Sequence, residues 1–183
     1  MKLEHIYVAF YYLLSLPIAI AGPSCCRDDI SSAAYHDHIL NNYIAIWAGD
    51  SSLIGSTFHS DVVLEIDRFP SASGKGSSII HVSNRTQMTA FVERSRSGWK
   101  EYYFEPISSV AANFSIAVRW RMHGVMGSNF TSFSTPLKAG DHVTYNGTDF
   151  LVQDHCTGLI REAYIASDNI SFLHAMGLTA ITV

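Results

Sequence analysis

The stretch Val118-Arg119-Trp120-Arg121-Met122-His123-Gly124 alternates bulky apolar side chains with basic ones at every step. Period two is the strand period, so Val118, Trp120 and Met122 face one side of a sheet and Arg119, Arg121 and His123 the other. One face is therefore buried, and the opposite face is polar or meets a partner. Upstream, Tyr102 to Val110 keeps the same period, and a turn at Asn113 pairs it with Ser115 to His123 as a hairpin. Downstream, His142 to Tyr145 continuing into Asp149 to Gln153, and then Leu159 to Ala166, read as two further strands, with turns at Gly140 and Gly158.

Nearer the N-terminus the period changes. Tyr35, Ile39, Tyr43, Ile46 and Trp47 recur at three and four residues after Ser32, which draws one apolar stripe along a helix that Gly49 stops. Asp50 or Ser51 caps a short second helix carrying Leu53, Ile54, Thr57 and Phe58. Asp61 to Asp67 then alternates as a strand with Val62, Leu64 and Ile66 on one face. A third helix starts at Ser83 or Asn84, shows Met88, Phe91 and Val92 on its apolar face, and ends by Gly98. The residues from Asp168 to Gly177 make a short final helix or turn. Helices first and strands afterwards indicate an α+β fold.

Between Phe69 and Ser78, Pro-Ser-Ala-Ser-Gly-Lys-Gly-Ser reads as a loop. It lacks the spacing of a phosphate-binding loop, so Lys75 is solvated.

The first 21 residues stand apart from the fold. Lys2 precedes an apolar run from Ile6 to Ile20, and Ala19-Ile20-Ala21 fits the small-x-small rule for signal cleavage. That run is shorter than the roughly 20 residues a membrane span needs. Removing residues 1–21 leaves 162 residues, divided into an N-terminal segment (22–34), one domain (35–177) and a tail (178–183). Five N-x-[ST] sequons, at Asn84, Asn113, Asn129, Asn146 and Asn169, fit the same secretory route. Cys25 and Cys26 lie far in sequence from Cys156, so an oxidising compartment allows one bridge from either of them to Cys156.

Composition narrows the function. With 48% apolar and 15% charged residues the chain builds a single core, and a net charge of −4 provides no broad basic surface for nucleic acid or acidic membrane. No membrane contact is expected once the signal is removed. His36-x-His38 with Asp37 is no metal site, because residues two apart on a helix do not share a face. No Ser-His-Asp or Cys-His arrangement emerges, and no cofactor motif is present.

The sequence resembles the SnoaL-like polyketide cyclases of the nuclear transport factor 2-like superfamily, which also holds ketosteroid isomerase and scytalone dehydratase. The resemblance rests on Tyr43-Ile44-Ala45-Ile46-Trp47-Ala48-Gly49-Asp50, on the central strand quoted above, on Thr148-Asp149-Phe150, and on Gly158-Leu159-Ile160-Arg161-Glu162 with Asp168. It implies a cone in which three helices pack on a curved mixed sheet around an apolar pocket, commonly in a homodimer. Trp47, Phe58, Leu64, Ile66, Met88, Phe91, Val118, Trp120, Met122 and Leu151 are the lining residues it implies; each of them is equally readable as ordinary core.

For chemistry, the resemblance points first to Asp149, where ketosteroid isomerase has a protonated aspartate and the cyclase a histidine. Tyr43 follows as a second hydrogen-bond donor, although counting back from Gly49-Asp50 puts the isomerase tyrosine at Asn42. Two positions depart from the pattern: the isomerase base falls at Ile66, and the cyclase aspartate at Ile165. Glu65 and Asp67 have the right chemistry on the wrong face.

The resulting expectation is a secreted, fungal-type domain that binds a small apolar or polyketide-like molecule. Asp149 and Tyr43 then carry cofactor-free proton transfer in a cyclisation, isomerisation or dehydration. The alternatives are a non-catalytic binding module, and a dimeric interaction protein working through the face of Arg119, Arg121 and His123.

Overall fold

The computed structural model describes residues 29–66, 80–132 and 134–178. The leader, Cys25, Cys26, the whole Gly/Ser loop and the last five residues lie outside the described residues.

Helix α1 (Ala33–Ala48) begins where the Ser32 side chain accepts the Tyr35 amide, and stops at Gly49 in the left-handed region with φ 118°. A 3-10 turn (Ser51–Leu53), capped by Asp50, leads into the one-turn α2 (Ile54–Thr57). Strand β1 (Phe58–Ile66) follows, so Phe58 opens the strand and does not end the helix as expected. A short β2 (Ile80–Val82), invisible in the pattern because three residues carry no period, pairs antiparallel with the end of β1. Helix α3 (Arg85–Arg96) is capped by Asn84, whose side chain accepts the Gln87 amide.

The remaining chain is the hairpin β3 (Trp99–Ala112) and β4 (Ser115–Met126), then β5 (His142–Gln153), β6 (Ile160–Ser167) and α4 (Asn169–Ala175). β5 is one continuous strand, as the sequence pattern indicates, and it runs unbroken through Asn146-Gly147. The sheet order is β2-β1-β6-β5-β4-β3, with β1 and β6 parallel and every other pair antiparallel. Register shifts in β1 and at two places in β3 bend this mixed sheet.

The alternation in the central strand holds. Val118, Trp120 and Met122 are buried while Arg119 and Arg121 are exposed. The inner face joins Ile39, Tyr43, Ile46 and Trp47 of α1 and Met88, Phe91 and Val92 of α3 in one main core. A smaller cluster at the far end gathers Met126, Val143 and Met176, with Phe130, Leu137 and Phe172 against it, under the segment linking β4 to β5 and under α4. On the outer face one cross-strand row reads Val110, Ala117, Phe150 and Tyr164. Val110 is 73% exposed, Phe150 45% and Tyr164 41%, so this row is an uncovered apolar band.

Candidate functional site

Tyr43 projects from the middle of α1 into the cone, and its hydroxyl donates to Asp149 Oδ2 at 2.7 Å. The one-residue uncertainty at this helix is resolved by the stripe itself. Tyr43 shares the inward face of Ile39, Ile46 and Trp47, whereas Asn42 is half-buried with its amide 3.3 Å from His38 Nε2. Asp149 stands on the inner face of β5 and is 3% exposed. Burial pushes its carboxyl up to about 7, against the hydrogen bond from Tyr43 and the neighbouring indole of Trp120, both of which favour the charged form.

Among the described residues, Asp149 Oδ1 has no hydrogen-bond partner, and neither has the indole N–H of Trp120 or of Trp47. The Trp120 N–H is close enough to favour the carboxylate, but its geometry falls short of a hydrogen bond. The Trp47 N–H plays the same part toward the Tyr43 hydroxyl. A buried acceptor and two buried donors are thus left open around one dyad, and each such group costs roughly 1–3 kcal/mol while unpaired. Tyr43 itself is pushed well above its ordinary value by burial and by the Asp149 charge, so it stays a donor at neutral pH.

Aromatic rings close the box. Phe58 meets Tyr43 edge-on at 6.0 Å, Trp47 meets Phe104 at 5.6 Å, and Phe104 meets Trp120 at 4.7 Å. Two tyrosines outside the expected catalytic pair belong to the same surroundings. Tyr145 and Tyr102 face one another; burial and the Asp149 charge raise both hydroxyls above their ordinary range, and Tyr145 raises Tyr102 further, while the hydrogen bond between them acts on Tyr145 in the opposite sense. The signal for Tyr145 was the spacing Tyr145-x-Gly147-x-Asp149, which puts all three on one face of a continuous strand. Gly147 sits between them because the Trp120 ring lies where a Cβ would be. Arg96, equally unforeseen, donates from one nitrogen to the carbonyls of Trp47 at 2.6 Å and Tyr102 at 2.7 Å, tying α1, α3 and β3 together behind the box.

Trp47, Phe58, Leu64, Met88, Phe91, Val118, Trp120, Met122 and Leu151 are all buried in the one core that contains the dyad. Ile66 is only partly buried against that core, at the end of β1. Ile165 is buried on β6, and Glu65 lies beside His81 at 3.7 Å, so neither position brings a second carboxylate to Asp149. Asp67 lies outside the described residues.

The remaining polar residues have local tasks. His36 Nε2 bonds the Asn113 carbonyl at 3.0 Å, and His123 bonds Glu105 at 2.9 Å while stacking on Tyr103. Asp154 accepts the amides of Cys156 and Thr157 and the Thr157 hydroxyl, which hold its carboxyl below the usual range. Cys156 is half-buried in this turn. Of the sequon asparagines, Asn113 and Asn129 are exposed, while Asn84, Asn146 and Asn169 are half-buried.

A family model for the SnoaL-like domain matches residues 40–163. No curated protein matches the sequence. Among solved structures, similar folds include AclR from Streptomyces galilaeus, a hydroxylase candidate, with 18% identity, TM-score 0.62, and coverage of 82% of this chain and 86% of that one. A SnoaL-like polyketide cyclase candidate from Shewanella putrefaciens has 15% identity and TM-score 0.61 over 77% and 95% of the two chains. A protein of ketosteroid isomerase-like fold from Catenulispora acidiphila, solved with trimethylamine, has 14% identity and TM-score 0.57 over 76% and 92%. At these identities the likeness is one of fold.

Proposed function

Because the chain belongs to the SnoaL-like domain family, we propose that its cone binds a small, largely apolar, polyketide-like molecule and that Asp149, assisted by Tyr43, moves a proton on it. The observation that carries this reading is a single carboxyl, held near pH 7 by burial, with one oxygen on Tyr43 and the other open. A group poised near the working pH exists in useful amounts as both base and acid. The carboxylate takes a proton from an activated C–H or O–H at Oδ1, and the resulting acid returns it to another atom. Such a transfer breaks and makes bonds to hydrogen only, and leaves isomerisation, aldol-type cyclisation and dehydration open as outcomes. An oxyanion formed on the way meets the indole N–H of Trp120, a donor left free beside the carboxyl.

The test is deuterium exchange at the α-carbon of 2-tetralone in D2O, followed by NMR. Acceleration by the protein, lost in Asp149→Asn, is the expected result. If the ketone shifts the Asp149 carbon-13 signal without faster exchange, the domain is a binding module, a reading favoured by the apolar Ile66 and Ile165.

Two further proposals concern the whole protein. Secretion is supported by the leader pattern and the sequons, with glycans expected at the exposed Asn113 and Asn129 first, and a bridge from Cys156 to Cys25 or Cys26. A homodimer is supported by the outer apolar row, which has Arg119 in the neighbouring row on one side and Glu162 on the other. A two-fold axis through the row sets each arginine over the opposite copy's glutamate.

A further inference from the structure

Away from the dyad, the open end of the sheet holds a pocket of about 590 Å3 between the start of β3 and the segment linking β4 to β5. Trp99, Lys100, Met126, Ser128 and Asn129 are among its walls. Trp99 and Lys100 are consecutive, and in a regular strand they face opposite sides. Here Trp99 pairs with Met126 while Glu101 pairs with Val125, which makes Lys100 the extra residue of a bulge. The bulge brings both residues to the same space, Trp99 half-buried and Lys100 exposed. The opposite wall is fixed. Its base is closed by the Met126 amide on the Asp141 carbonyl at 2.9 Å and the Gly140 amide on the Met126 carbonyl at 2.8 Å. Phe130 of that wall packs edge-on against Trp99 at 5.2 Å.

One of its walls also packs toward the interior. The Trp99 ring lies 5.8 Å from Tyr102, which faces Tyr145 and feels the Asp149 charge. A volume of this size falls in the range of small-molecule sites, about 300–1,000 Å3. We propose that this pocket is an entrance subsite for a planar ring compound bearing an anionic group, of the aryl carboxylate class. The ring lies against Trp99, the anion meets Lys100, and Ser128 supplies a polar contact at the rim. Only the inward direction, toward Asp149, rests on the function proposed above.

The experiment is calorimetric titration of 2-naphthoate and its neutral analogue 2-naphthamide. The background is Thr131→Ala, which removes the Asn129 sequon and keeps sugar off the rim. Naphthoate is expected to bind more tightly than naphthamide by about two- to five-fold, the range of an exposed ion pair. Lys100→Gln, at an exposed position, abolishes that preference, as does high salt. Amide shifts induced by naphthoate cluster at Gly98, Ser128 and Gly140, and Asp149→Asn leaves both affinities unchanged. No binding of either ligand, or an anion preference that survives Lys100→Gln, overturns the proposal. Naphthoate binding that is lost in Asp149→Asn yet indifferent to Lys100→Gln also overturns it, while leaving the Asp149 reading intact.

Discussion

Replacing Asp149 by Asn converts a titrating buried group into a neutral one of the same shape, and the structure sets the size of the effect. The carboxyl rises from 3.8 to about 7 on folding. Between those values the folded chain holds a proton that the unfolded chain has released, so stability falls as pH rises across that window. The contribution is fully present below pH 3.8 and gone above about 7. A shift of about 3 units corresponds to about 4 kcal/mol. The Asn variant lacks this slope. It carries its own constant cost, because the amide replacing Oδ1 is buried with no partner, worth about 1–3 kcal/mol. The stability difference between wild type and Asp149→Asn should therefore swing by about 4 kcal/mol from pH 4 to pH 8, in favour of the variant at the higher pH. For a domain of this size that is roughly 2–4 °C of Tm per kcal/mol. Urea unfolding of both proteins at several pH values measures it, and all other titrating groups cancel in the difference. Parallel curves across the window would refute the claim that Asp149 is buried with a raised pKa.

Three more outcomes follow from the same geometry. Tyr43→Phe removes a hydrogen bond that favours the carboxylate, so the Asp149 carbon-13 titration should move upward by about 1–2 units; no movement would mean the 2.7 Å contact is not made in solution. Gly147→Ala forces a methyl into the Trp120 ring and should cost about 1–3 kcal/mol in urea unfolding, with the indole N–H resonance of Trp120 displaced. If the outer row is the dimer contact, Phe150→Lys should halve the mass seen by light scattering without lowering Tm of the separated chain, and an unchanged mass places any dimer elsewhere.

The architecture was legible where periodicity is long. The stripe of α1, the alternation around Trp120 and the Asn113 turn each specify burial directly, and the structure reproduces them. Tyr43 and Asp149 were legible one at a time, through resemblance, but their contact spans 106 residues and depends on the helix lying over β5, which no local pattern encodes. Tyr145 was not singled out because Asn146-Gly147 interrupts the apolar alternation between the two halves of the strand. In the fold that glycine is spare room for an indole, and the strand runs through it. Arg96 was invisible for a different reason: a lone arginine at a helix end is ordinarily solvated, and only the converging carbonyls of Trp47 and Tyr102 give it a task.

The continuous β5 strand makes the inner wall a ruler. Its inward positions 145, 147 and 149 are spaced by about 6.7 Å, two residues of strand rise. Trp120 occupies the middle mark, so on this stretch a carboxyl stands either at 149 against α1 or at 145 against Phe172 of α4. Exchanging tyrosine and aspartate between those marks would shift the reactive oxygen by about 13 Å along the cone while leaving its walls in place. A single scaffold could in this way act on opposite ends of the same elongated molecule.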